Sequence, residues 1–225
     1  MSKEEEIAKD FIDEEFSKAM KVNLEAGLAI DKKTLLEYVL KSKSWNDTII
    51  YERMKSGSQI LKNRDAICKA FTEEIEKLKK SSNFQSWHDT TLKRLGNEFF
   101  EKNIGLAQKY LNMSIKYLYF LEVAYKINLI DNLSLKRFMN DFDIPIDSFI
   151  LKWVLFNSVG DKEIEDKAEK ISSWNKMQND IYPFLQEKTK KLLNERYCEN
   201  SSILVAETIV WGGIKKLKSK MCMDL

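Results

Sequence analysis

Apolar residues recur along this chain at intervals of three and four, the spacing that gathers side chains on one face of an α-helix. Ile7, Phe11, Ile12 and Phe16 mark a first amphipathic helix, and Leu35, Leu36, Val39 and Leu40 form the stripe of a second, which Asp31 caps. Helices are expected next at about 45–55, ended by Gly57, and at about 65–80, where Ile67, Phe71, Ile75 and Leu78 share a side. Ser81, Ser82 and Asn83 break the pattern. Asp89 is then placed to cap a helix carrying Leu92, Leu95, Phe99 and Phe100, which stops at Asn103, Ile104 and Gly105.

The stretch from Leu106 to Ile127 differs in kind, because its apolar residues leave almost no polar face; such a helix belongs in the centre of a fold. A short helix is expected at about 134–141, and Ile144-Pro145-Ile146-Asp147 leads into another from Ser148 to Phe156. Asp161 starts an exposed charged helix, and Ser172 or Ser173 caps one that Pro183 perturbs or restarts before Leu185–Tyr197. Ser201 or Ser202 caps Ile203–Trp211, which Gly212 and Gly213 terminate; its isoleucine and valine content makes a strand the competing reading. The expected fold is all-α, a multi-helix globular domain spanning residues 1–225.

Composition supports that class. Only 7 glycines and 2 prolines punctuate the chain, too few for the turns of a β-sandwich or the phosphate loops of a dinucleotide-binding fold. The 37 basic and 35 acidic side chains leave a net charge of +2, so no overall field calls for nucleic acid. Residues 1–15 are acidic, and Lys215, Lys216, Lys218 and Lys220 make a basic tail that reads as a solvated helix end or, less simply, a polyanion contact. Cys68, Cys198 and Cys222 are widely spaced, and His88 is the sole histidine, so a disulfide framework and a zinc site are not expected. No apolar run spans a bilayer and no signal segment opens the chain; no membrane partner and a cytoplasmic location are expected.

Candidate chemistry concentrates on the apolar helix, which carries Lys109, Asn112 and Lys116 on one narrow stripe. Either the stripe faces water, with lysine stems covering apolar neighbours, or it walls a cleft where a desolvated lysine gains nucleophilic character. Asp147, following Pro145, is placed to cap the Ser148 helix, and a carboxylate held by helix amides stays ionised and can stabilise a developing cation. His88 beside Asp89 offers a hydrolase reading, but sequence neighbours point to different helix faces.

Gly105-Leu106-Ala107-Gln108-Lys109 followed by Ile144-Pro145-Ile146-Asp147 resembles the paired motifs of the helix-hairpin-helix DNA glycosylases, in particular the 8-oxoguanine DNA glycosylase/lyases and their archaeal-type relatives. In that family a G-x-G-x-K hairpin opens a buried helix bearing the nucleophilic lysine, and a downstream P-V-D supplies a catalytic aspartate. Ala107 stands here in place of the second hairpin glycine, and the longer separation of the motifs leaves room for an inserted helix at about 131–141. The resemblance covers roughly 89–160 and implies two helical lobes around a cleft. It assigns Lys109 as Schiff-base nucleophile and Asp147 as its partner, with Gly105, Ala107 and Lys116 against double-stranded DNA. Phe149, Trp153, Trp174 and Trp211 are the candidates for gripping a flipped base. No metal or organic cofactor is implied. The alternative is a non-catalytic helical interaction or scaffold protein, which near-neutral charge and the altered hairpin favour.

Overall fold

In the computed structural model, which describes residues 1–25, 31–49, 60–168, 177, 180–197 and 202–223, the chain is all helical, with no strand among the described residues. Helix α1 (Lys3–Glu15) opens with a capping box in which Ser2 Oγ accepts from the Glu5 amide and the Glu5 carboxylate accepts from the Ser2 amide. Helix α2 spans Lys18–Glu25. Helix α3 (Lys32–Tyr38) is capped by Asp31, as its sequence implies, and runs through a π-helical turn (Val39–Ser44) into α4 (Trp45–Ile49). The wider π turn changes the face that α4 presents. The expected end of this helix at Gly57 lies outside the described residues.

Helix α5 spans Arg64–Leu78 and α6 spans Phe84–Phe99. Asp89 is not a cap: Asn83 accepts from the Ser86 amide at 2.9 Å and starts α6 earlier, because Phe84, Trp87 and His88 already continue its buried face. Residues 100–103 form the turn, with Glu101 and Lys102 at positive φ, and Gly105 belongs to the following helix rather than to the stop. Gly96 brings α6 close to that helix: a Cβ there would lie 3.3 Å from Ile104 Cδ1.

Helix α7 (Ile104–Tyr125) is the centre of the fold, buried at every residue from Ile104 to Leu121. Helix α1, the π turn, α4 and α6 pack around it. The acidic N-terminus finds its use at the far end of α7, where Tyr119 donates to Glu4, Tyr125 to Asp13, and Lys126 to Glu5. The expected helix at 134–141 is a single 3-10 turn, Leu135–Phe138.

Helix α8 (Ser148–Asn157), α10 (Ile181–Tyr197) and α11 (Ile203–Met223) pack on one another, and α1 contacts both α7 and α11. Between them α9 (Lys162–Ala168) follows Asp161, whose carboxylate accepts from the Glu163 amide. Pro183 sits in the first turn of α10, where a missing N–H breaks no helical bond. Ser172 and Ser173 lie outside the described residues. Ile203–Trp211 is helix, not strand, and α11 continues through Gly212 and Gly213, which border open space. Among the described residues no helix is long and apolar enough to cross a membrane.

Candidate functional site

With roughly 100° between successive residues of a helix, Lys109, Met113 and Lys116 fall within a wedge of roughly 60° on α7, while Gln108 and Asn112 lie round to one side. The structure separates the two sets. Lys109 and Lys116 are 8% and 1% exposed, which overturns the solvent-facing reading of the stripe. Both line a cavity of about 200 Å³. Its walls come from α1 (Phe11, Glu15), α4 (Asp47), α7 (Lys109, Met113, Lys116, Tyr117), the start of α8 and α11 (Glu207, Trp211).

Asp147 stands at the α8 end of this cavity. One carboxylate oxygen accepts from the Phe149 and Ile150 amides at 2.8 and 3.0 Å, the cap its sequence implies. The other lies 3.8 Å from Lys109 Nζ. One group thus serves the helix with one oxygen and the cavity with the other.

The extended segment before Asp147 is held by two glutamines. Gln108 Nε2 donates to the Ile146 carbonyl at 2.8 Å while its Oε1 accepts from the Ile146 amide at 3.3 Å. Gln186 of α10 does the same at Ile144, at 2.7 and 2.9 Å. These side chains supply what a neighbouring strand would, so the buried N–H and carbonyl groups of Ile144 and Ile146 are all satisfied. Gln108 also adjoins Lys109, and this couples the position of the lysine to that of Asp147.

Deeper in the cavity Lys116 Nζ donates to Glu207 and lies 4.4 Å from the centre of the Phe11 ring. Burial pushes the Glu207 carboxyl up, and the adjacent Lys116 ammonium opposes that rise. Burial likewise raises Asp47, against the hydrogen bond that its Oδ2 accepts from Tyr117 at 2.8 Å. Glu15, the fourth carboxylate, pairs with Lys43 at 3.3 Å.

Asn112 joins a second buried cluster. His88 Nε2 lies 2.7 Å from Asn112 Oδ1, and because the Asn112 amide donates to Ile144 O and Tyr182 OH, Nε2 is the protonated nitrogen. Tyr182 in turn donates to Asp143, which Lys190 also binds. His88 is fully buried in this network, 3.7 Å from Asp89 across Nδ1, and does not line the cavity that holds the lysines.

Of the aromatic candidates, Phe149 and Trp211 line the cavity; Trp153 packs against Tyr197 instead, and Trp174 lies outside the described residues. Gly105 and Ala107 are buried in the first turn of α7, where Asn103 Oδ1 takes the Leu106 amide and Asn103 O takes the Ala107 amide. Among the described residues no group of three or more His, Cys, Asp or Glu side chains is arranged to hold a metal. Sequence reasoning missed Glu207, Asp47, Gln108 and Glu15. For Glu207 a signal existed, a lone charge inside the apolar run Ile203–Val210. In comparisons with protein-family models, curated proteins and solved structures, nothing matches the chain.

Proposed function

We propose that the chain is a DNA glycosylase and abasic-site lyase acting on a damaged base of the 8-oxoguanine type, with Lys109 as nucleophile and Asp147 as its partner. The observation that carries this reading is the Lys109–Asp147 pair, 3.8 Å apart on the wall of one cavity. A base is reached only after the nucleotide is flipped from the duplex. The Lys109 amine attacks C1′ of the sugar, the C1′–N bond breaks, and its electron pair leaves with the base. Asp147 stabilises positive charge on the sugar and takes the proton that the amine sheds. Opening of the sugar ring then leaves a Schiff base on Lys109, from which strand scission proceeds.

Borohydride trapping on duplexes carrying 8-oxoguanine or an abasic site tests this. A covalent adduct that disappears in Lys109→Gln is expected. Absence of any adduct, or an adduct undiminished in Lys109→Gln, defeats the assignment.

A non-catalytic helical scaffold is the second reading, favoured by the occupied Leu106 and Ala107 amides, which are not free to grip a phosphate. Failure of the chain to retain abasic duplex at low salt would favour it.

A further inference from the structure

The cavity's polar inventory is lopsided. Among the described lining residues are four carboxylates, Glu15, Asp47, Asp147 and Glu207, against two ammonium groups, Lys109 and Lys116; no arginine and no side-chain amide is present. Three of the four carboxylates are matched: Asp147 with Lys109, Glu207 with Lys116, and Glu15 with Lys43 and, at 3.7 Å, Lys215. Asp47 has no ion pair among the described residues. Its Oδ2 accepts from Tyr117, and its second oxygen accepts no hydrogen bond from the described residues.

Size narrows the occupant. A cavity of roughly 150 Å³ holds one benzene ring, so about 200 Å³ suits a single base rather than a whole nucleotide. Phe149, Met113, Pro145 and Trp211 supply apolar wall, and ring faces bind such walls irrespective of base identity. Discrimination therefore falls to the edge of the base. A carboxylate accepts from an amino group, as acidic side chains do from cytosine N4, whereas a carbonyl oxygen in the same place sets two acceptors against each other.

Resting on the glycosylase reading, we infer that Asp47 selects amino-bearing bases, of the cytosine, adenine and guanine type, over their oxo counterparts uracil, hypoxanthine and xanthine. The Tyr117 hydroxyl holds the carboxylate through Oδ2, so the group is oriented before the base arrives.

The test separates this from the chemistry by using free bases as probes. Quenching of intrinsic tryptophan fluorescence is titrated with cytosine against uracil and with adenine against hypoxanthine, on the full chain. A charge-assisted hydrogen bond to a partly buried acceptor predicts a preference of roughly 10- to 100-fold for the amino member of each pair. Asp47→Asn, which keeps the shape but, with its oxygen accepting from Tyr117, turns an NH2 donor to the base, should abolish or reverse that preference. Equal binding, tighter binding of the oxo bases, no saturable binding of any base, or a preference unchanged in Asp47→Asn each overturns the inference. Abasic-site trapping, which needs no base, reports separately on the glycosylase reading: trapping without base preference sinks only the role of Asp47, and base preference without trapping sinks only the lyase.

Discussion

The side-chain amide of Gln108 closes on both backbone groups of Ile146, donating at 2.8 Å and accepting at 3.3 Å, one residue from Lys109 on one side and one from Asp147 on the other. Replacing Gln108 with Leu removes both bonds and strands a buried N–H and carbonyl. Each orphaned group costs about 1–3 kcal/mol, so Gln108→Leu is expected to lower stability by roughly 2–4 kcal/mol in urea unfolding. A loss below about 0.5 kcal/mol, the size of an ordinary surface change, would show that the clamp is not what holds the segment.

Lys116 and Glu207 form an ion pair with side chains only 2% and 3% exposed. Breaking such a pair from one side leaves an uncompensated charge and costs about 3–5 kcal/mol, whereas replacing both members by apolar groups is often neutral or better. Lys116→Met alone should therefore be severely destabilised, and Lys116→Met with Glu207→Leu should recover to within about 1 kcal/mol of the parent. A double variant as unstable as the sum of the singles would mean that the two charges are not coupled and that each side chain is needed for its own contacts.

The sequence carried much of this arrangement and missed a definable part. The apolar excess of α7, the cap at Asp147 and the shared stripe of Lys109 and Lys116 all follow from periodicity and local hydrogen-bond chemistry, whereas that the stripe walls a cavity does not. Asn112 shares the stripe by spacing, yet the structure turns it into the His88 network, because whether a polar side chain meets cavity or partner depends on α6 and α10. Gln108 and Gln186 were invisible for a similar reason: an amide in a helix announces no partner until a distant extended segment is laid against it. The end of α11 was misjudged because two glycines mark a stop only when the chain beyond cannot continue the helix.

Acid should act on the two sides of α7 with opposite sign. Lys126 holds Glu5 down at about 2 against an ordinary 4.5. For Asp13, burial opposes the shift, but the hydrogen bonds from Lys9 and Tyr125 outweigh it and its carboxyl is lowered. Groups depressed in the folded state stabilise it above their unfolded values and lose that contribution as pH falls through the folded ones. The docking of α1 should thus weaken between about pH 4.5 and 2, read as falling amide protection factors in Lys3–Glu15 once the intrinsic pH dependence of exchange is divided out, with a flatter profile in Glu5→Gln/Asp13→Asn. Asp47 and Glu207, raised by burial, give stability that is complete at acid pH and lost as pH rises through their folded values, so these two groups do not add to the loosening in that window. Protection factors at α1 that are flat across the window in the parent would contradict the assignment.

Gly212 and Gly213 lie inside α11 with nothing within 4 Å of the place a Cβ would occupy and no positive φ. An unconstrained glycine in a helix interior is worth roughly 0.5–1 kcal/mol less than alanine, because the unfolded chain loses more freedom. Each Gly→Ala change should therefore raise stability by about that amount, and the double change by more than either alone, since neither added Cβ meets a neighbouring atom within 4 Å. Trp211 and Glu207 sit in and just before the same turn and line the cavity. Stiffening α11 thus asks a second question at no cost in contacts: if the site works with this helix formed, the double alanine variant should gain stability in urea unfolding while abasic-site trapping by Lys109 persists. A loss of stability in both single variants would mean that α11 bends or unwinds at the glycines in the working molecule. Gained stability with lost trapping would instead identify a motion of α11 as part of substrate entry.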